Sequence, residues 1–238
     1  MPPDDLPPLI SAYLDFARQR PELFETPPQG VRILLDPGEI AAVQREIACS
    51  LHERGLPESG AEVGIVFEDP WFRLLRDAVE FPDGSRRLHT RIINFRGDNI
   101  HHTSHGVAVL PMFEGRLVVT RQFRHAPRRF LLEIPRGANE PGHSLEETAR
   151  NEVFEEIGGE VTDLTRLGFL YGSSNIYFSG AYLFFARLSK VGAPQLYEGI
   201  VAVEQYSVAE FEKLLTDGEL TDAFTVAAYA HAKVRGLV

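Results

Sequence analysis

Apolar residues recur at helical spacing near the start of the chain, at Leu9, Ile10, Tyr13, Leu14, Phe16 and Ala17, with Pro7 and Pro8 where a first turn tolerates proline. Asp36-Pro37-Gly38-Glu39 reads as the opening of a second helix: an N-cap, a proline at the first helical position and a capping-box glutamate, with a stop at Gly55. From residue 63 the pattern changes to short runs of strand character over 63–67, 71–81, 88–95, 106–113, 117–123 and 130–134, with turns at Pro82-Asp83-Gly84 and Glu114-Gly115. One helix interrupts them, from about Leu145 to Ile157, between Ser144 as N-cap with Glu147 as its capping-box partner and a stop at Gly158-Gly159. Strands follow over 164–171, 181–188 and 200–206, then a helix opened by Ser207 with Glu210, and a last helix over 222–234. The pattern predicts a helical N-terminal extension over 1–60 and a domain over 61–238. Mixed strands around one central helix point to an α+β or α/β sandwich.

Composition narrows the class. Of the 238 residues, 44% are hydrophobic and 24% charged, the mixture of an ordinary globular protein. Cys49 is the only cysteine, so no internal disulfide forms. The acidic, proline-rich start lacks the basic and apolar regions of a secretory signal, and no apolar run nears the ~20 residues of a membrane helix. The expected location is the cytoplasm. A net charge of −10 argues against general nucleic-acid or anionic-membrane binding. An anionic substrate must therefore meet a local basic patch.

The central helix carries the candidate chemistry. At about 100° per residue, Leu145, Ala149 and Val153 define an apolar arc, and Glu152 and Glu156 project within or beside it. Glu155 lies one flank over, so Glu152, Glu155 and Glu156 stand at i, i+3 and i+4. Like charges in partial burial repel and lose hydration unless a cation sits among them. Mg²⁺ suits oxygen donors and bridges to phosphates, with Mn²⁺ as the alternative. A solvated, glutamate-rich surface helix is the competing reading. A second signal is basic: Arg121, Arg124, Arg128, Arg129 and Arg136 lie close together with Glu133 as the one acid among them, and arginine forks bind phosphate oxygens. Arg128 and Arg129 read better as solvated strand arginines, and Arg121 and Arg124 need not share a face.

The stretch Gly137–Gly159, GANEPGHSLEETARNEVFEEIGG, resembles the Nudix box, G-x5-E-x7-R-E-U-x-E-E-x-G-U, where U is a bulky aliphatic residue. Gly137, Glu152, Val153, Glu155, Glu156 and Gly158 fall on fixed positions; His143, Asn151 and Gly159 depart from it. In the family the arginine replaced by Asn151 holds the catalytic glutamates. Outside the box, Gly106-Val107-Ala108-Val109, Arg121-Gln122-Phe123-Arg124 and Leu132-Glu133-Ile134-Pro135-Arg136-Gly137 are similar to the ADP-ribose pyrophosphatase branch, over roughly residues 65 to 235.

The resemblance implies a Nudix-type α/β/α sandwich with a mixed sheet. It also implies metal ligation by Glu152, Glu155, Glu156 and the main-chain carbonyl of Arg136, with Glu133 supporting them and Glu198 as base or further ligand. Arg121, Arg124 and Arg136 are the expected substrate contacts, Arg124 foremost because it matches the Gln-aromatic-Arg element. The implied reaction is Mg²⁺-dependent hydrolysis of the pyrophosphate bond of a nucleoside diphosphate sugar or ADP-ribose-like compound, giving a nucleoside monophosphate and a sugar phosphate. The alternative is a weakened Nudix-fold module that binds and senses a nucleotide sugar, favoured by His143 and Asn151. The branch is typically dimeric, which makes residues 61–100 a candidate homodimer segment with Trp71, Phe72, Leu74 and Leu75 as anchors. Tyr177 and Phe178 are candidates for stacking a ring, with a core role as the commoner outcome. His101, His102 and His105 read as a polar loop rather than a transition-metal site.

Overall fold

The computed structural model describes residues 6–96, 99–103, 105–139, 142–194 and 199–238, of which 95, 96 and 99–103 are described in the main chain alone. The chain forms two compact units, Met1–Thr103 with Asn175–Phe178, and Ser104–Ser174 with Ser179–Val238.

In the first unit, α1 (Pro8–Gln19) buries Ile10, Tyr13, Phe16 and Ala17, one face of a 3.6-residue repeat. Helix α2 (Pro37–Glu53) starts where Asp36 accepts the Gly38 and Glu39 N–H groups at 2.9 and 3.0 Å. The capping box expected at Glu39 does not close. Its carboxylate binds the guanidinium groups of Arg32 and Arg86 instead, as charge-assisted bonds outcompete the return to a backbone N–H next to an acidic N-cap. The helices share a core with an antiparallel sheet of β1 (Arg32–Ile33), β2 (Gly64–Glu68), β3 (Phe72–Glu80), β4 (Arg86–Arg96) and β5 (Asn99–Thr103). A buried Tyr13 hydroxyl donates to Asp77 at 2.5 Å, and Arg91 Nε donates to the other Asp77 oxygen at 2.6 Å. Burial and the Asp77 charge hold the Tyr13 hydroxyl protonated far above the usual phenol range. Leu75 is fully buried in this core, so it is not the interface anchor expected of it, whereas Trp71 is 68% exposed. Period 2 places Leu75 on the inner face.

The second unit is a mixed sheet between helical layers. Its strands are β6 (Gly106–Phe113), β7 (Arg116–Arg124), β8 (Arg129–Glu133), β9 (Arg136–Ala138), β10 (Glu160–Leu170), β11 (Ala181–Lys190) and β12 (Ile200–Tyr206). The main path runs β10-β11-β6-β7-β12, with β11 parallel to β6 and the other pairs antiparallel. Alternation in β6 and β11 assigns the two cores. Val107, Val109, Phe184 and Ala186 pack with Ala149, Val153 and Ile157 of α3 (Leu145–Ile157). Ala108, Leu110, Leu183 and Phe185 pack with Phe211 of α4 (Val208–Thr216) and with Ala228, Tyr229 and Ala232 of α5 (Ala223–Val234). This is the α/β/α arrangement expected.

One feature of the sheet positions the site. Strands β6 and β7 pair only beside their turn, Met112 with Leu117 and Phe113 with Arg116, and then diverge. Strand β8 pairs with β7 from Arg124–Arg129 to Thr120–Glu133, and β9 pairs with β6 from Ala108–Arg136 to Gly106–Ala138. The segment Ile134-Pro135 crosses the fork, and Val109 N–H donates to the Pro135 carbonyl at 2.9 Å.

Candidate active site

Helix α3 is fixed at both ends. Ser144 Oγ accepts the Glu147 N–H at 3.2 Å while Glu147 accepts the Ser144 N–H at 2.8 Å. Gly158 closes the helix in the left-handed region at φ 56°, where a Cβ would meet Gly192 Cα at 2.8 Å. The expected arc is the buried one: Thr148, Ala149, Val153, Glu156 and Ile157 point inward. A carboxylate thus lies within an otherwise mostly apolar face, Glu156 being only 2% exposed. Glu152 is half-buried and Glu155 exposed.

The box glycine meets this helix directly. Gly137 sits on β9 opposite Val107, and a Cβ built on it would overlap the Glu152 carboxylate, with Oε2 at 2.5 Å. Glycine is needed here for room. Glu152 is thereby held against the peptide that follows Arg136. Among the described residues, no three His, Cys, Asp or Glu side chains gather about one point. Glu155 stands outside, on the exposed side of the helix.

The arginines are separated by their strand positions. Arg121 pairs with Glu204 of β12, its Nε 2.5 Å from Oε1. That contact holds Glu204 below the usual carboxylate range, and burial with the neighbouring Glu204 pushes the Tyr206 hydroxyl up to about 12. Arg124 instead donates from Nε and Nη2 to Oε2 of Glu133, at 2.8 and 2.5 Å. Arg136 Nη2 reaches the same oxygen at 2.8 Å, and its Nη1 lies 3.1 Å from Asp222. The Glu133 side chain is fully buried, and its Oε1 has no hydrogen-bond partner among the described residues. Two guanidinium groups therefore offset two carboxylates beneath the box loop. Arg128 bonds His125 at 2.9 Å and lies over the Phe123 ring at 5.1 Å, in keeping with a surface role.

Glu198 lies outside the described residues, as do the side chains of His101 and His102, although their main chain belongs to β5 rather than to a loop. His105 is turned inward against Phe169, at 5.0 Å between ring centres, and Nδ1 accepts the Gly180 N–H at 3.3 Å. Burial lowers its pKa. Phe178 packs on the first unit's core and Tyr177 is exposed there. Arg150 donates to the Val161 carbonyl at 2.9 Å, so it is committed to β10, and Asn151 is exposed. Gly159 departs from the box because a Cβ there would meet Val153 Cγ1 at 2.7 Å. Sequence reasoning missed Asp222 and Thr225. Asp222 was legible as a helix start, but nothing in the local pattern shows that its second oxygen faces Arg136.

Residues 101–227 match the NUDIX domain family. The chain is 28% identical over 174 residues to an ADP-ribose pyrophosphatase of Bacillus subtilis (strain 168), covering 71% of this chain and 89% of that protein. It is 28% identical over 158 residues to the ADP compounds hydrolase NudE of Escherichia coli (strain K12), covering 63% and 77%. The crystal structure of an ADP compounds hydrolase superposes with a TM-score of 0.62 at 24% identity, over 74% of this chain and 95% of that one. That likeness shows the fold. The family match takes in more than half of the chain, and with the two relatives it establishes that the protein belongs to the NUDIX family, as a Nudix hydrolase acting on pyrophosphate bonds.

Proposed function

We propose that the protein hydrolyses the pyrophosphate bond of a nucleoside diphosphate sugar or ADP-ribose-like compound with Mg²⁺, giving a nucleoside monophosphate and a sugar phosphate. The observation that carries this reading is the pair of carboxylates on the inner side of α3, Glu156 buried and Glu152 seated on Gly137. Nudix hydrolases generally use divalent metal ions. The donors present fit one: Glu152, Glu156 and the Arg136 carbonyl are all oxygen ligands, the set a hard cation takes. Mg²⁺ is our choice and Mn²⁺ the substitute. When bound, the metal supplies Lewis acidity and makes a coordinated water more acidic.

The protein's own groups divide the remaining work. Glu155, exposed beside the pair, accepts a proton from the attacking water, with Glu198 as the other base. Arg124 has Nη1 left beyond its two bonds to Glu133 and neutralises a phosphoryl oxygen. Arg121, held by Glu204 beside Tyr206, is the second phosphate contact. Arg136 has both Nη atoms engaged, by Glu133 and Asp222, which makes its side chain the weakest phosphate contact of the three. An ADP half is inferred from the names of the two relatives. A panel of ADP-ribose, other ADP-sugars, UDP-sugars and GDP-sugars tests the reading. ADP compounds should turn over fastest in Mg²⁺, and no turnover of any member in Mg²⁺ or Mn²⁺ overturns it.

We further propose a cytoplasmic homodimer, with residues 1–60 as an extension to the catalytic part and exposed Phe67 and Trp71 in the interface. Light scattering at micromolar concentration should give about twice the 26.6 kDa chain mass; a monomer contradicts it. Asn151 stands four residues before Glu155, so Asn151→Arg adds an i,i+4 ion pair of ~0.2–0.5 kcal/mol. We expect an approximately twofold lower Mg²⁺ concentration at half-maximal rate, since ~0.4 kcal/mol is a factor of about two. A Mg²⁺ titration with unchanged half-saturation rules out that bracing role.

A further inference from the structure

The first turn of α5 holds the box loop at two points. Asp222, 7% exposed, caps the helix: its Oδ2 accepts the Thr225 N–H at 2.9 Å and the Thr225 hydroxyl at 2.7 Å. Thr225 Oγ1, fully buried, in turn accepts the Ile134 N–H at 3.1 Å. The second Asp222 oxygen, Oδ1, lies 3.1 Å from Arg136 Nη1. The Arg136 guanidinium also lies 5.3 Å over the Phe224 ring, so contacts to Asp222 and Phe224 at the start of α5 and to Glu133 at the end of β8 fix one side chain.

Capping alone does not require this arrangement. One side-chain oxygen suffices for an N-cap, and serine or asparagine supplies it without burying a charge. The peptide between Arg136 and Gly137 lies in a strand of three residues paired with β6 on one side, so side-chain contacts from α5 add to what the sheet supplies. Residue 137 must be glycine to leave room for Glu152, and glycine is the residue least able to stiffen its own backbone. We infer that Asp222 is a positioning residue: by clamping the Arg136 side chain from α5, it fixes the Arg136 carbonyl as a metal donor beside Glu152. The inference rests on the metal reading above. It assigns the Arg136 guanidinium to the clamp and leaves Arg124 and Arg121 for phosphate.

The test uses the full chain and Mn²⁺ alone, without substrate, measured by isothermal titration and by the electron paramagnetic resonance signal of free Mn²⁺. Asp222→Asn retains a capping oxygen and removes the charge facing Arg136. It should weaken Mn²⁺ binding by about 10-fold or more, the range for groups that orient a metal's ligands, and raise the Mg²⁺ half-saturation of hydrolysis by the same factor. Arg136→Met leaves the cap intact and should cause the same loss, so it carries the test if Asp222→Asn does not fold. In the Arg136→Met background, Asp222→Asn should add nothing. Unchanged Mn²⁺ affinity in Asp222→Asn despite a lower melting temperature, or equal losses in both backgrounds, overturns the clamp. A folded wild type that binds no Mn²⁺, and is matched in this by Glu156→Gln, instead overturns the metal reading.

Discussion

Glu156→Gln should abolish hydrolysis while leaving the fold as stable as the wild type, or more stable, in the absence of metal. The carboxyl group is 2% exposed on a face it shares with Val153 and Ile157, where a negative charge has little hydration. The amide keeps the shape and removes the charge, the one change that separates a metal-binding role from a packing role. Disturbing groups behind a metal's ligands costs ~10- to 100-fold, and loss of a ligand should exceed ~100-fold. Steady-state rates at saturating Mg²⁺, read beside a calorimetric melt, make the check. Glu152→Gln should behave alike, and Glu155→Gln more mildly because that side chain is exposed. Unfolding of the Glu156 variant, or wild-type activity in Mg²⁺, would remove Glu156 from the metal site.

Gly137→Ala is the second large effect. The added methyl would occupy the place of the Glu152 carboxylate, and the backbone cannot yield easily because Gly137 is paired with Val107 in the sheet. Glu152 must therefore swing away. Overpacking of this kind costs ~1–3 kcal/mol of stability, but the larger loss should appear in metal affinity, more than ~100-fold if the Glu152 ligand is lost altogether and ~10- to 100-fold if it is only misoriented. Mn²⁺ titration of the variant against a urea melt separates the two. An alanine variant with wild-type Mn²⁺ affinity would show that Glu152 does not need its seat on the glycine.

Local pattern made much of this architecture legible. The capping boxes at Ser144 and Ser207, the end of α3 at Gly158 and the strand over 106–113 are all set within a few residues of chain, and each appears where the spacing places it. The buried position of Glu156 followed from the helix wheel alone. The pairing of the arginines did not. Arg124 and Arg136 converge on nearby Glu133, but Glu204 of β12 and Asp222 of α5 come from far along the chain, and side chains choose among acceptors only once the fold assembles. Strand β9 is three residues long and owes its existence to β6, so it carries no pattern of its own. The change of texture near residue 60 marks a switch from helical to strand periodicity, while α1 and α2 share one core with β3 and β4. Gly159 departs from the box for a reason only packing reveals, the proximity of Val153.

The most direct test of the account is a ³¹P resonance time course of ADP-ribose with the full chain in Mg²⁺. Cleavage of the pyrophosphate bond by water predicts that the two diphosphate resonances fall together as two phosphomonoester resonances, from AMP and ribose 5-phosphate, rise in equal amounts. The spectrum should stay unchanged in the presence of a chelator or with Glu156→Gln. Inorganic phosphate as a product, or equal turnover with the metal removed, would contradict it.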